Sequence, residues 1–169
     1  MKQLFIGGVR SGKSALAEAA ASASREKVIY VATAQARDAG MAERIERHRA
    51  HRPANWTTRE EPLALPAILR EHNNSGDCVL IECVGLWVNN LLEAERDNTD
   101  NVIDELLTCV ENHRGNLILV SPEVGLGIMP MNALARRYAD TLGELNQALA
   151  QRCDRVTLAA AGLPLNLKG

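Results

Sequence analysis

Several things are missing from this chain, and each absence removes a class of function. Neither sign of charge dominates the 169 residues, with 19 Lys+Arg against 21 Asp+Glu, so no global field favours nucleic acid as the main partner. No apolar run approaches the roughly 20 residues of a membrane span. Met1-Lys2-Gln3 runs directly into an apolar strand pattern, so the expectation is a cytoplasmic protein without a cleavable signal. Cys78, Cys83, Cys109 and Cys153 lack C-x-x-C spacing, which leaves reduced core or near-core thiols rather than a zinc or disulfide framework. There is no internal repeat or low-complexity stretch, and the length fits one domain over 1–169 with a real core.

What is present starts with Gly7-Gly8-Val9-Arg10-Ser11-Gly12-Lys13-Ser14, a G-x-x-x-x-G-K-[ST] phosphate loop. It follows the strand-like Leu4-Phe5-Ile6 and leads into Ser14 to Ala21, a run of strong helix formers. The glycines let successive backbone N–H groups point at phosphate oxygens. Lys13 can span the β and γ phosphates, and the Ser14 hydroxyl can sit on a magnesium ion.

Further strand-length apolar runs recur at Val28 to Ala32, Val79 to Ile81, Leu117 to Val120 and Val156 to Ala160. Helical patterns run between them, over about 42–49, 63–71 and 101–112, and along Leu134, Tyr138, Leu142, Leu145 and Leu149 behind Pro130. Asn73 to Asp77 reads as a turn. Strands alternating with helices predict an α/β fold of the phosphate-loop nucleoside triphosphatase kind, with a mostly parallel sheet and helices on both faces.

In such sheets ligands gather at the carboxyl ends of the strands. Thr33, Glu82 and Glu123 follow or end three of the runs and are therefore expected on the rim that carries the phosphate loop. Glu82 occupies the place of an acidic residue associated with magnesium, where Asp is usual; an ordinary polar strand end is the plainer reading. Glu123 is equally compatible with a carboxylate that caps its own loop.

Between Arg44 and Arg52 lie four arginines and two histidines. On a helix Arg44, His48 and Arg52 share one face at steps of four. An imidazole among guanidinium groups is held neutral and nucleophilic, and the arginines can grip phosphates bidentately. Covalent phosphoryl or nucleotidyl transfer through histidine is one reading. A solvated basic helix face is the other. A nucleic-acid patch has little support, since only Trp56 lies near as a stacking residue.

Taken together, the phosphate loop, Tyr30 to Ala34, Met41 to Ile45 with His48, Arg52-Pro53, Trp56 with Thr58, Leu86 to Leu92, Glu123 to Ile128 and Leu134 to Arg137 resemble the bifunctional adenosylcobinamide kinase/adenosylcobinamide-phosphate guanylyltransferase family of cobalamin synthesis. The resemblance covers nearly the whole chain. It implies phosphorylation of adenosylcobinamide by ATP or GTP, followed by GMP transfer from GTP through a guanylyl-histidine at His48 to give adenosylcobinamide-GDP and pyrophosphate. Lys13 would serve both reactions. By the same correspondence Ala32, Thr33, Ala34, Arg49, Ala50, His51, Arg52, Glu60 and Glu82 would contact GTP, with Mg2+ at Ser14 and Glu82. Glu61 stands beside Glu60 as a possible register error. A homo-oligomer, a trimer by resemblance, is implied as well. The alternatives from other classes are a small-molecule kinase with His48 as a bystander and a GTP-sensing module without turnover.

Three departures from the family pattern stand out: Asp38-Ala39-Gly40 is less acidic than usual, Gly85 replaces a common hydroxyl residue, and Pro122 replaces a usual Asn. Pro122 removes a side-chain amide and an N–H beside the rim, so a weakened activity or altered substrate range is expected there.

Overall fold

The computed structural model describes residues 1–36, 39–50, 52–94, 98–128 and 130–169, and for positions 41, 44, 47, 48 and 50 the backbone alone. The strands are β1 (Lys2–Gly7), β2 (Val28–Ala32), β3 (Thr57–Glu60), β4 (Cys78–Glu82), β5 (Asn116–Pro122), β6 (Arg155–Ala160) and β7 (Leu163–Lys168). The helices are α1 (Lys13–Ala23), α2 (Ala39–Ala50), α3 (Leu65–Glu71), α4 (Val84–Glu93), α5 (Thr99–Asn112) and α6 (Ala133–Arg152). All strands join one sheet in the order β3-β2-β4-β5-β1-β6-β7. Pairings are parallel except between β6 and β7.

The central strands are covered on both faces, and their alternating side chains divide the core. Leu4, Ile29, Val31, Val79, Ile81, Leu117 and Leu119 point to the side packed by α3, α4, α5 and α6. Phe5, Tyr30, Leu80, Ile118 and Val120 point to the other, against Ala17 and Ala21 of α1. Small alanines let α1 lie close to the sheet. Burial on both faces explains why these strands read as continuous apolar runs rather than alternating ones.

The α/β expectation is met, with every predicted strand and helix in place to within a few residues. Three elements went unpredicted, for separate reasons. β3 has the sequence Thr-Thr-Arg-Glu and is exposed along its length, so hydrogen bonding to β2 forms it without any apolar signal. In α4 most residues are buried, and so short an apolar run cannot be told from a buried strand by periodicity alone. The β6–β7 turn uses Ala161 and Gly162 with φ of 52° and 80°, and alanine is an unusual residue for the left-handed region.

All four cysteines are free, and burial pushes Cys78, Cys83 and Cys153 up to about 11, keeping them protonated at neutral pH.

Trp87 anchors α4: it is fully buried, and its indole N–H donates to the Leu63 carbonyl at 2.8 Å. Trp87→Ala removes both a large core volume and that bond. A loss of about 3–5 kcal/mol is expected, measured by urea unfolding with the far-ultraviolet spectrum of the folded state retained.

Candidate functional site

At the carboxyl end of β1 the chain turns through Gly8 to Gly12 into α1. Arg10 and Gly12 take φ of 55° and 95°, curling the backbone from the end of β1 into α1. A Cβ on Gly7 would lie 2.6 Å from the Ala159 carbonyl oxygen and 2.5 Å from Ser11 Oγ, so glycine is required by close approach. One on Gly12 would lie 2.9 Å from Gly162 Cα. The Gly162 N–H donates to the Ser11 carbonyl at 2.8 Å, and the β6–β7 turn thereby buttresses the loop from behind.

Lys13 is buried, and its ammonium donates to the Gly8 carbonyl at 3.1 Å. Ser14 Oγ donates to Glu82 Oε1 at 2.9 Å, joining α1 to the end of β4. Burial pushes the Glu82 carboxyl up to about 7; the Ser14 hydrogen bond, Lys13 and Arg52 oppose that shift, and Glu18 reinforces it. Hydroxyl and carboxylate together form a hard, all-oxygen pair. Among the described residues no cluster of three or more His, Cys, Asp or Glu forms a metal cage. The pair fits Mg2+, which is commonly held by one or two protein oxygens with substrate phosphates completing the shell.

The next strand end is tied down from inside. Thr33 is buried, its hydroxyl donating to the Cys83 carbonyl and accepting from the Cys83 N–H, both at 2.8 Å. Asn90 Nδ2 donates to the carbonyls of Thr33 at 2.9 Å and Pro62 at 3.1 Å. The Thr33 side chain thus braces the rim rather than facing the cavity, and only its neighbours Ala32 and Ala34 line the space.

A cavity of about 710 Å³ opens above these strand ends. Of the residues expected at the site, Val9, Lys13, Ser14, Ala32, Ala34, Arg49, Arg52, Glu60 and Glu82 line it. Gly7, Gly8, Arg10, Ser11 and Gly12 form the loop beneath without contributing to that wall. Arg49 pairs with both Glu46 and Glu60, bridging α2 to β3. Arg52 stacks over the Tyr30 ring at 3.7 Å and reaches Thr58 Oγ1 at 3.4 Å. Position 48 belongs to the α2 backbone and position 50 ends that helix; the side chains of His48 and Ala50, and residue His51 altogether, lie outside the described residues.

The neighbouring acids separate by role. Glu60 lines the cavity, whereas Glu61 Oε1 accepts the N–H groups of Leu63 at 2.9 Å and Ala64 at 2.8 Å, holding the turn into α3. Glu123 likewise accepts from the Gly125 N–H and caps its loop, the second of its two readings. Pro122, expected beside the rim, lines the cavity, and so do Leu86 and Tyr138, which the sequence did not single out as parts of its wall. Apolar and aromatic residues at helical spacing carry no signal that separates wall from core.

Fold and site together define an α/β nucleotide-binding protein of the phosphate-loop class. A solved ATPase from the type III secretion system of pathogenic bacteria superposes with a TM-score of 0.56 at 11% identity, covering 98% of this chain and 56% of that one, a likeness of fold alone. Residues 3–167 match the family model for cobinamide kinase / cobinamide phosphate guanyltransferase, and the chain belongs to that family. The bifunctional adenosylcobalamin biosynthesis protein CobP of Pseudomonas aeruginosa is 51% identical over all of this chain and 98% of its own length. CobU of Escherichia coli K12, described by the same function, is 36% identical over 99% of this chain and all of its own.

Glu82 also leaves a signature on stability. Below its ordinary value of 4.5 the carboxyl is protonated folded or unfolded; between 4.5 and about 7 the unfolded chain has released a proton that the folded one retains. Stability of the metal-free protein therefore falls as pH rises through that window and levels above it. Glu82→Gln is expected to flatten this slope relative to wild type, read by denaturant unfolding at pH 5 and pH 8 with chelator present.

Proposed function

We propose that this chain carries out both family reactions in one domain spanning 1–169: phosphorylation of adenosylcobinamide, then guanylylation of the product through His48. The observation that carries the reading is the shared cavity. One space is walled by the phosphate loop and Glu82 on one side and by the arginine-bearing α2–β3 segment on the other, as expected where a triphosphate at the loop must also meet a nucleophile on α2.

In the kinase step the alcohol oxygen of the aminopropanol arm attacks the γ phosphorus of ATP or GTP. The bond to the β,γ-bridging oxygen breaks, the nucleoside diphosphate leaves, and the alcohol proton is released. In the second step a His48 ring nitrogen attacks the α phosphorus of GTP, forming the P–N bond as pyrophosphate departs. A phosphate oxygen of the phosphorylated cobinamide then attacks the same phosphorus and frees the histidine, giving adenosylcobinamide-GDP. Lys13 and the loop N–H groups hold the phosphates that move in the first reaction and those that leave in the second. Arg49 and Arg52, which line the cavity, would hold the nucleotide on the α2 side, with Glu60 orienting Arg49. Ser14 and Glu82 would hold Mg2+, which supplies neutralisation of phosphate charge.

Work in the cytoplasm and a homo-oligomeric state complete the proposal. No helix of the described residues is long and apolar enough to cross a membrane. The edge strand β7 leaves Leu163, Leu165 and Leu167 at 70%, 56% and 57% exposure, an open apolar edge of the kind that monomers avoid.

Incubation with GTP labelled at the α phosphate tests the chemistry. An acid-labile protein label is expected, with loss by roughly 10³-fold or more in His48→Ala while γ-phosphoryl transfer persists. Lys13→Ala should slow both reactions by about 10²-fold or more. Phosphoryl transfer from a wild type that takes no label would leave a kinase alone, and tight GTP binding with no product would leave a sensing module.

A further inference from the structure

The cavity wall away from the arginines has a different chemistry. It is built from the β4–α4 and β5–α6 junctions, where Cys83, Leu86, Pro122, Val124 and Tyr138 line the space without a charged side chain. Tyr138 is partly buried on α6, and its hydroxyl has no hydrogen-bond partner among the described residues. The position of that hydroxyl is set by two unusual neighbours. A Cβ on Gly85 would lie 2.4 Å from Pro122 Cγ and 2.8 Å from the Tyr138 hydroxyl oxygen. Only glycine in the first turn of α4 lets the Pro122 ring and the tyrosine approach together. Asn146 Nδ2 donates to the Pro122 carbonyl at 3.1 Å, fixing the proline against α6. Gly85 and Pro122, two of the departures from the family pattern, are therefore one packing arrangement, and it leaves a phenol at the cavity wall.

We propose that Tyr138 is the residue that hydrogen-bonds the corrinoid acceptor, holding the neutral amide-and-alcohol arm against the Leu86–Pro122–Val124 wall while the nucleotide occupies the arginine side. This rests on the functional reading above. The two walls differ as the two substrates differ. Cationic residues meet the polyphosphate, and an apolar surface with a single hydroxyl meets an uncharged arm carrying one alcohol and an amide carbonyl. Burial pushes the Tyr138 hydroxyl up to about 12, so it remains a neutral donor and acceptor through the working pH range. A hydroxyl that finds no protein partner at such a wall is left for the ligand to satisfy.

The test separates acceptor from nucleotide. Adenosylcobinamide binding is measured by equilibrium dialysis, the acceptor KM by phosphoryl transfer, and the nucleotide side by the rate of labelling from α-labelled GTP with no acceptor present. Tyr138→Phe is expected to raise the acceptor Kd and KM about three- to tenfold, the effect of one neutral hydrogen bond, without changing the GTP dependence of labelling. Gly85→Ala, which drives a Cβ into Pro122 and the hydroxyl, should weaken the acceptor likewise; adding Tyr138→Phe to it should cost no more than Gly85→Ala alone. Unchanged acceptor affinity in Tyr138→Phe overturns the inference, as does an equal loss on the GTP side, which would mark a structural residue. A wild type that labels with GTP but binds no adenosylcobinamide defeats the functional reading and this one with it.

Discussion

A parallel sheet runs out of hydrogen-bond partners at its carboxyl edge, and most of the site follows from how this chain satisfies the polar groups left there. Each strand end must hand its N–H and C=O groups to something else. At β1 they pass to the phosphate loop, where the Glu123 N–H donates to the Gly7 carbonyl at 3.0 Å and the β6–β7 turn supports Ser11. At β2 and β4 they pass to Thr33, whose hydroxyl closes on the Cys83 main chain, and to Asn90 behind it. At β5 they pass to Asn146. Interior side chains thus absorb part of the demand and hold the rim rigid.

Rigidity on one side of the cavity contrasts with the construction of the other. The phosphate loop, Glu82 and Thr33 sit on buried strands within the core. None of the described side chains of α2 belongs to either core cluster, and Arg49 reaches Glu60 at the end of β3 through a charged contact. Exposed pairs of that kind contribute little stability. A helix attached through exposed ion pairs is held less firmly than one embedded in the core.

Much of the fold was legible because strands buried on both faces advertise themselves as apolar runs. Val28 to Ala32 and Leu117 to Val120 needed no context. β3 and β7 were not legible, since Thr57–Glu60 and Leu163–Lys168 are edge strands defined by the neighbour they bond rather than by a buried face. For the site, glycine spacing with Lys13 and Ser14 announced the loop, because backbone curvature and phosphate charge demand those residue types at that interval. Thr33 was legible in place but not in orientation: a hydroxyl at a strand end can face ligand or main chain, and only the separation of β2 from the Cys83 peptide decides which. Glu60 and Glu61 are indistinguishable in composition, yet one points across to Arg49 while the other turns back on its own backbone.

What the chain dictated locally was a phosphate-loop motif between a strand and a helix, since Gly7 to Ser14 and the helix formers that follow are legible from their own residue types. Its motifs in order likewise carried the family. Tertiary structure alone decided that Gly85, Pro122 and Tyr138, 16 to 53 residues apart in number, form one contact, and that a second wall without charge faces the arginines across the cavity. Such a contact depends on how closely α4, β5 and α6 pack around the sheet, and that spacing is set by the volumes of many core side chains at once. No local pattern can encode it.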